Sequence, residues 1–492
     1  MATDNSSFFP NRKALSQEFN YTPKPSSVNG RTFRVTVPAS NAPSFTAGQT
    51  MIFNIPCGRR NCVLDPGSAY IRYTVKSTAA AQTATTSAIT AQLTAGSTAA
   101  TGIYGAGLFL DHNAYSIFNT TTLYSGSNMI EYINGCNILY SYILDTNFSY
   151  GNALSCSLNY GMAVPESNCL DIRKGALLSN VANVTGSATA TSSTIISEQN
   201  TYCLPLLSGL LGIGSSGKMV PIYAINDVLR LEILLENQTQ AFCQLGGVTA
   251  TYSVISAELN LQYIELSDEG MALVNSTAPP SSPIFIVGNS FRHNVNTIKN
   301  GTVGIFSCLV PSKLASMKAL HILPRRNTEI NSASSYSLSS RINPAFDYVV
   351  LKVSGTQIPQ KPIYLQNAST TGGYAEGLIE IDRCFGSLTA TDKMGLLFSN
   401  NYNVAISGSS TTGVFSISTG NSSYANAFGI SIDLELFASK DTIISGLNCL
   451  AESLYFEANI STDPGADVTL DFYSSFDNLY IIDSTGYVSA RA

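Results

Sequence analysis

Residues 267–283 read SDEGMALVNSTAPPSSP, and what stands on either side of them decides the fold. An acidic start before a short apolar run signals one or two helical turns, and the prolines that follow stop helix and sheet alike. The segment divides the 492-residue chain near its middle. Upstream, TFRVTVPA (32–39), TMIFNIPC (50–57), AYIRYTVKS (69–77) and VLRLEILLEN (228–237) alternate with period 2 and are rich in β-branched and aromatic residues. Downstream, PIFIVGNSFRHNVNTI (283–298), MKALHILPRR (317–326), FDYVVLKVSG (346–355) and SLYFEANIS (453–461) do the same.

The two parts also end alike. VTATYSVISAELNLQYIELSDEGMALV (248–274) and VTLDFYSSFDNLYIIDSTGYVSA (468–490) both run from alternating strands through an acidic, Gly-containing turn to a last apolar stretch. Each part has room for about eight strands. The expected fold is therefore all-β, two tandem eight-stranded jelly rolls with long surface loops and few short helices. The boundaries are an N-terminal arm at 1–30, a first roll at 31–270, a linker at 271–283 and a second roll at 284–492. Helix is expected only near Ile130–Leu144, for a turn or two within 168–183, and at the linker. Ser/Thr/Ala/Gly-rich stretches at 77–102, 185–199 and 399–425 read as loops.

Composition narrows the function. Charged residues make up 12% of the chain, about half the usual share, while 44% are hydrophobic and the formal net charge is −6. Such a chain folds, and it argues against a nucleic-acid binder acting through its whole surface. The first 60 residues carry seven cations (Arg12, Lys13, Lys24, Arg31, Arg34, Arg59, Arg60) against Asp4 and Glu18, a mildly basic arm. The ten cysteines are dispersed and read as buried free thiols. Cys57 and Cys62 in CGRRNC could bridge a turn or hold a metal, but no second pair lies nearby. Folding in a reducing interior fits this usage. The first residues contain no apolar signal core, and no apolar run reaches the roughly 18 residues a membrane helix needs.

Candidate catalytic patterns are thin. GIGSSGKM (212–219) matches a phosphate-binding loop at Gly212, Gly217 and Lys218, yet Met219 replaces the hydroxyl residue and Pro221 precludes the helix that should follow. The three histidines, His112, His293 and His321, have no partner at metal-ligand spacing. Asp111 and His112 are adjacent, and neighbours on a strand point to opposite faces. Glu232, Glu236, Glu380 and Asp382 read as strand carboxylates that could pair as in a glycosidase, although the chain has no tryptophan for a sugar cleft. Tyr and Phe alternate with aliphatic residues as a core does, without interleaved cations. No catalytic, cofactor-binding or metal residue is assigned, and no cofactor is expected.

Short phrases spread over most of the chain resemble the major capsid proteins of double-jelly-roll DNA viruses of adintovirus and polinton type. They are FNIPCGRRNCVLDPGSAYIRYTV (53–75), YCLPLLSGLLGIGSSGKMVPIYAINDVLRLEILLE (202–236), SSRINPAFDYVVLKVSGTQIPQKPIYL (339–365) and FDNLYIIDSTGYVSA (476–490). Within them, Leu64, Asp65, Pro66 and Tyr70 match the family's Leu-Asp-Pro-x-x-x-Tyr, and Pro359, Pro362 and Ile363 its Pro-x-x-Pro-Ile. The resemblance implies a non-enzymatic shell protein whose homotrimers form pseudo-hexagonal capsomers of an icosahedral virion. It also implies penton and minor capsid proteins as partners, tower loops that could meet a host receptor, and an inner arm in weak contact with genome. A single-roll capsid protein with a protruding domain, and a secreted adhesin or lectin-like β protein, are the competing readings.

Overall fold

The structure is a computed structural model and describes residues 30–79, 107–147, 157–162, 174–182, 194–197, 199–245, 250–277, 282–330, 332, 336–365, 375–385, 428–435 and 445–492. Strands β1 (Gly30–Pro38), β2 (Phe45–Thr46), β3 (Thr50–Ile55), β4 (Cys62–Ala79), β5 (Gly107–Asp111), β6 (Phe118–Ser125) and β7 (Asn128–Asn134) come first. After helix α1 (Cys136–Asn147) follow β8 (Lys174–Ala182), β9 (Thr194–Ser197), β10 (Gln199–Pro205), β11 (Leu229–Leu235), β12 (Phe242–Leu245) and β13 (Ala250–Leu266). Helix α2 (Asp268–Thr277) leads to β14 (Ile284–Ile298), β15 (Gly304–Leu309), β16 (Met317–Arg326), β17 (Phe346–Val353) and β18 (Thr356–Tyr364). Helix α3 (Ala375–Cys384), β19 (Ile430–Asp433), β20 (Leu454–Ile460), β21 (Val468–Ile482) and β22 (Val488–Arg491) complete the chain.

Pairing resolves these into two jelly rolls of the same wiring. The first has sheets β1-β13-β4-β10 and β3-β11-β6-β7, and the second has β14-β21-β16-β19 and β15-β20-β17-β18. Numbering the eight roll strands of each half in chain order, both halves read 1-8-3-6 and 2-7-4-5. All the pairings are antiparallel. Alternation in the sequence becomes alternation in burial: in LYFEANI of β20, Leu454, Phe456, Ala458 and Ile460 point inward. Aromatic contacts join the two sheets of each roll, Tyr73 to Phe118 at 4.9 Å between ring centroids in one and Phe456 to Phe472 at 5.5 Å in the other. Each fully buried side chain of this kind contributes roughly 1.5–3 kcal/mol.

Register fixes which loops share an end. The end of β4 lies beside the starts of β10 and β13, and the start of β6 lies beside the ends of β7 and β11. The first roll therefore gathers its insertions at one end, where a further sheet β12-β5-β8-β9 is built from them. In the second roll the end of β16, the start of β17 and the end of β18 gather likewise.

Several expectations change. Residues 174–182 are a strand, because pairing with β5 and β9 outweighs the local Ala/Leu helix preference. The helix expected over 130–144 divides into the strand β7 and then α1. Residues 194–197 and 199, expected in a loop, belong to β9 and β10, and 77–79 complete β4. Helix α2 runs ten residues rather than one or two turns. The expected arm lies outside the described residues except for Gly30, as do 399–425 and the remainder of the other two loops.

Candidate functional site: the seam between the rolls

Backbone comes first. Gly214 and Ser215 lie against the first strand of the second roll: Asn289 N–H donates to Gly214 O at 2.7 Å, and Ser215 bridges to Gly288. A Cβ on Gly288 would sit 1.9 Å from Gly209 O, and one on Gly214 would sit 2.2 Å from Asn289 O. Only glycine permits this approach. The stretch that mimics a phosphate loop is thus a strap between rolls. No helix follows it, since Pro221 leads into a single 3-10 turn at Ile222–Ala224. Lys218 and Met219 are exposed.

Strand β7 runs beside β14 in the same direction. Ser290 Oγ donates to Glu131 at 2.7 Å and Asn134 lies 3.3 Å from His293 Nδ1, pairs that share one sequence offset of 159. Glu131 also accepts from Ser208 Oγ and from Gly209 N–H at 2.8 Å. Burial pushes its carboxyl above the usual range, and these donors only partly offset that. Tyr473 OH donates across the seam to Gly135 O at 2.9 Å, and Asn478 reaches Ile130 O.

Toward the loop end the seam carries full charges. Arg341, from the loop between β16 and β17, pairs with Asp145 of α1, and neither side chain is exposed at all. Arg341 Nε donates to Phe428 O at 3.0 Å, and its guanidinium lies over the Tyr142 ring. His112 Nε2 stands 3.4 Å from Asp145 while its Nδ1 meets Ser141 Oγ at 2.7 Å. Asp111 instead accepts from Leu338 N–H at 2.7 Å and from Ser339 Oγ, both in the second roll. The adjacent Asp111 and His112 serve different partners, and not through strand alternation as expected: β5 ends at Asp111, and the chain turns off it at His112 with φ 68°.

All three histidines stand at or next to this seam. His293 meets Asp471 at 2.9 Å, and Arg325 Nε donates to the other Asp471 oxygen at 2.7 Å. Burial alone would raise the Asp471 carboxyl, but Arg325 and His293 hold it below its usual range. His321 Nδ1 shares Ser431 Oγ with Tyr142 OH, each at 2.7 Å, and burial depresses it to about 4. His321 is thus neutral and Arg325–Asp471 is a fixed ion pair, and the seam's chemistry is that of a clamp.

The sequence-flagged carboxylates do not converge. Glu232 pairs with Arg230 on its own strand, and Glu236 accepts from Asn137 at 2.9 Å. Glu380 and Asp382, read as strand residues, lie on α3 instead, where Glu380 pairs with Arg383 one turn away. Among the described residues no group of three or more His, Cys, Asp or Glu could hold a metal ion. Cys57 and Cys62 are both free thiols, and burial pushes Cys57 to about 11, which keeps it protonated and inert.

The two family phrases are structural. Leu64 bridges to Val220, and the Asp-Pro step lies where β4 bulges against β13: Tyr70 pairs with Asn260 but Asp65 with Gln262. Pro359, Pro362 and Ile363 lie on β18, a sheet edge, which is where a strand tolerates prolines. The seam residues Glu131, Asp145 and Arg341 were not singled out in the sequence. The mid-strand Gly288 was the available signal for a close backbone approach.

No model of a known protein family matches the chain, and no curated protein is significantly similar to it in sequence. Solved structures are similar over nearly its full length. The PBCV-1 virus capsid model aligns with a TM-score of 0.55 at 10% identity, covering 96% of this chain and 99% of that one. The Faustovirus major capsid protein gives 0.53 at 12%, covering 95% and 93%, and the mavirus major capsid protein gives 0.51 at 10%, covering 100% and 95%. The chain has the double-jelly-roll fold found in these DNA-virus and virophage major capsid proteins.

Proposed function

We propose that this chain is a major capsid protein, a structural building block whose homotrimers form pseudo-hexagonal capsomers of an icosahedral DNA-virus shell. The observation that carries the reading is the pair of rolls with identical strand order, standing side by side with their loop ends aligned and locked by a buried seam. Three such pairs present six like walls around one axis, which is what hexagonal tiling needs. Residues 31–270 and 284–492 are the two rolls, 271–283 the link and 1–30 an arm toward the particle interior. Loops at the gathered end face outward as towers where a receptor would be met. Penton and minor capsid proteins fill the remaining contacts, and the arm touches genome weakly. Among the described residues no helix is long and apolar enough to cross a membrane.

Light scattering on the purified chain tests this. The reading expects a species of about three times the 52.3 kDa protomer. A particle that stays at one protomer at every concentration contradicts it. Deleting residues 1–30 should reduce packaging more than trimer formation, and equal loss of both would remove the arm's genome role.

A further inference from the structure

Two strands hold the second position in their rolls, β3 in the first and β15 in the second, and each is a sheet edge. The first edge is covered by the chain itself. Ser40 N–H donates to Ile52 O at 2.8 Å, Ile52 N–H donates to Asn41 Oδ1 at 3.1 Å, and Asn41 Nδ2 donates to Thr50 O at 2.7 Å. Residues 40–41 belong to the link that leads from β1 to β3. The matching link in the second roll, 299–303, is tied elsewhere: Asn300 N–H and Lys299 Nζ donate to Asp467 and Gly301 N–H to Asp463, each at 2.8 Å. It is held against the turn before β21 and leaves β15 bare.

Geometry says which groups are left over. Val310 N–H donates to Leu454 O at 2.8 Å, in line with the β15–β20 ladder. Alternation then turns Gly304, Phe306 and Cys308 toward β20 as well, and points the N–H and C=O of Ile305, Ser307 and Leu309 off the edge. Among the described residues no other backbone group bonds to them. Natural edges are blunted by charge, proline or a bulge. β1 carries Arg31 and Arg34, and β18 carries Pro359 and Pro362. GIFSCL of β15 has no charge, no proline and an unbroken register. Its outward side chains include Ile305, 68% exposed, and Leu309, 49%, with Tyr455 opposite Leu309 at 43%. An open edge beside such a surface is a template for an added strand.

We infer that a strand of the N-terminal arm, residues 1–29, docks on β15, from the same copy or from its neighbour. This rests on the reading of 1–30 as an arm and gives that arm a seat on the protein. The described residues begin at Gly30, the first residue of β1. Residues 1–29 fully extended reach roughly 100 Å. A compact chain of this length has a radius of gyration of about 23 Å, so the arm reaches every edge of its own copy and those of the next. Tethering also keeps its local concentration high, which a free partner would not enjoy. Arg12, Lys13 and Lys24 against Asp4 and Glu18 leave residues 1–29 nearly neutral, which suits an edge without charge. The arm brings Phe8, Phe9, Phe19 and Tyr21, and aromatic rings favour β-branched neighbours such as Ile305 in cross-strand pairs.

Amide exchange, read residue by residue, tests it. In the full chain the N–H groups of Ile305, Ser307 and Leu309 are expected to exchange at least about a hundredfold more slowly than in free peptide. Removing residues 1–29 should return them close to the free rate. Phe306 and Cys308, bonded to β20, should stay protected and show that the roll is intact. A synthetic peptide of residues 1–29 should restore slow exchange in the shortened chain. Ser307→Pro removes an outward donor without breaking the β20 ladder, and should weaken binding of that peptide at least about tenfold. Slow exchange already in the dilute protomer assigns the arm to its own copy, and slow exchange only on association assigns it to the neighbour. Free exchange in the full chain at every concentration overturns the inference. So do protection that survives removal of the arm, a peptide that restores nothing, and undiminished peptide binding by Ser307→Pro. A chain with these amides protected that never forms trimers contradicts the capsomer reading alone, which separates the two failures.

Discussion

The interior of each roll and the seam between the rolls are both buried, and they are built from opposite materials. Roll interiors are Leu, Ile, Val and aromatic rings in alternating rows, such as Phe346, Leu351 and Phe456. The seam is Glu131, Asp145, Arg341, His112, Asp111 and a set of serines. Apolar burial is tolerant of partner and angle, whereas a buried ion pair is stable in one arrangement only. The contrast teaches that the rolls fold by generic burial and are oriented by specific polar contacts. That suits a unit whose two halves must hold one fixed angle.

The largest effect is expected from Arg341→Met, which leaves Asp145 buried without its cation and costs about 3–5 kcal/mol. Phe456→Ala in the second roll costs a similar amount, about 3–5 kcal/mol, through the cavity it leaves. Calorimetry separates them: Arg341→Met should divide unfolding into two transitions as the rolls uncouple, while Phe456→Ala, with the seam intact, should lower one joint transition. Equal behaviour of the two variants would erase the contrast. Gly288→Ala forces the two backbones apart and is expected to cost about 1–3 kcal/mol, read as a lower melting temperature.

Two carboxylates sharpen the comparison through pH. Glu131 is raised above its unfolded value near 4.3, so its native form binds the extra proton. Its contribution is fully present below that value and lost as pH rises through the folded pKa. Asp471 is depressed, so its contribution is present above the unfolded value near 3.9 and lost as pH falls through the folded pKa. Denaturant midpoints measured across pH should therefore lose the decline on the alkaline side of 4.3 in Glu131→Gln. An unaltered profile would show that Glu131 is not titrating in the seam. The smallest effect is expected at Lys299→Ala, an exposed partner of Asp467, within about 0.5 kcal/mol.

Much of the fold was legible because its elements are period-2 strands, and the break at 267–283 is a change of texture any reader can see. Strand order was not legible, since alternation specifies a face and not a neighbour. Helix α3 shows the same limit: Ile379, Glu380, Ile381 and Asp382 alternate like a strand, while Leu378 and Ile381 also fit one helical face. The seam was hidden for a related reason. In NMIEYIN of β7, Glu131 looks like an outward polar residue until a second roll covers that face. DFYSSFDN of β21 looks too polar for a core, and it is buried because one side meets its own roll and the other meets the seam.

Negative-stain imaging of the purified particle is the decisive measurement. A trimer of paired rolls gives a hexagonal outline with six lobes grouped in three pairs, each pair one chain. Isolated two-lobed particles, or lobes whose spacing varies within a pair, would contradict it.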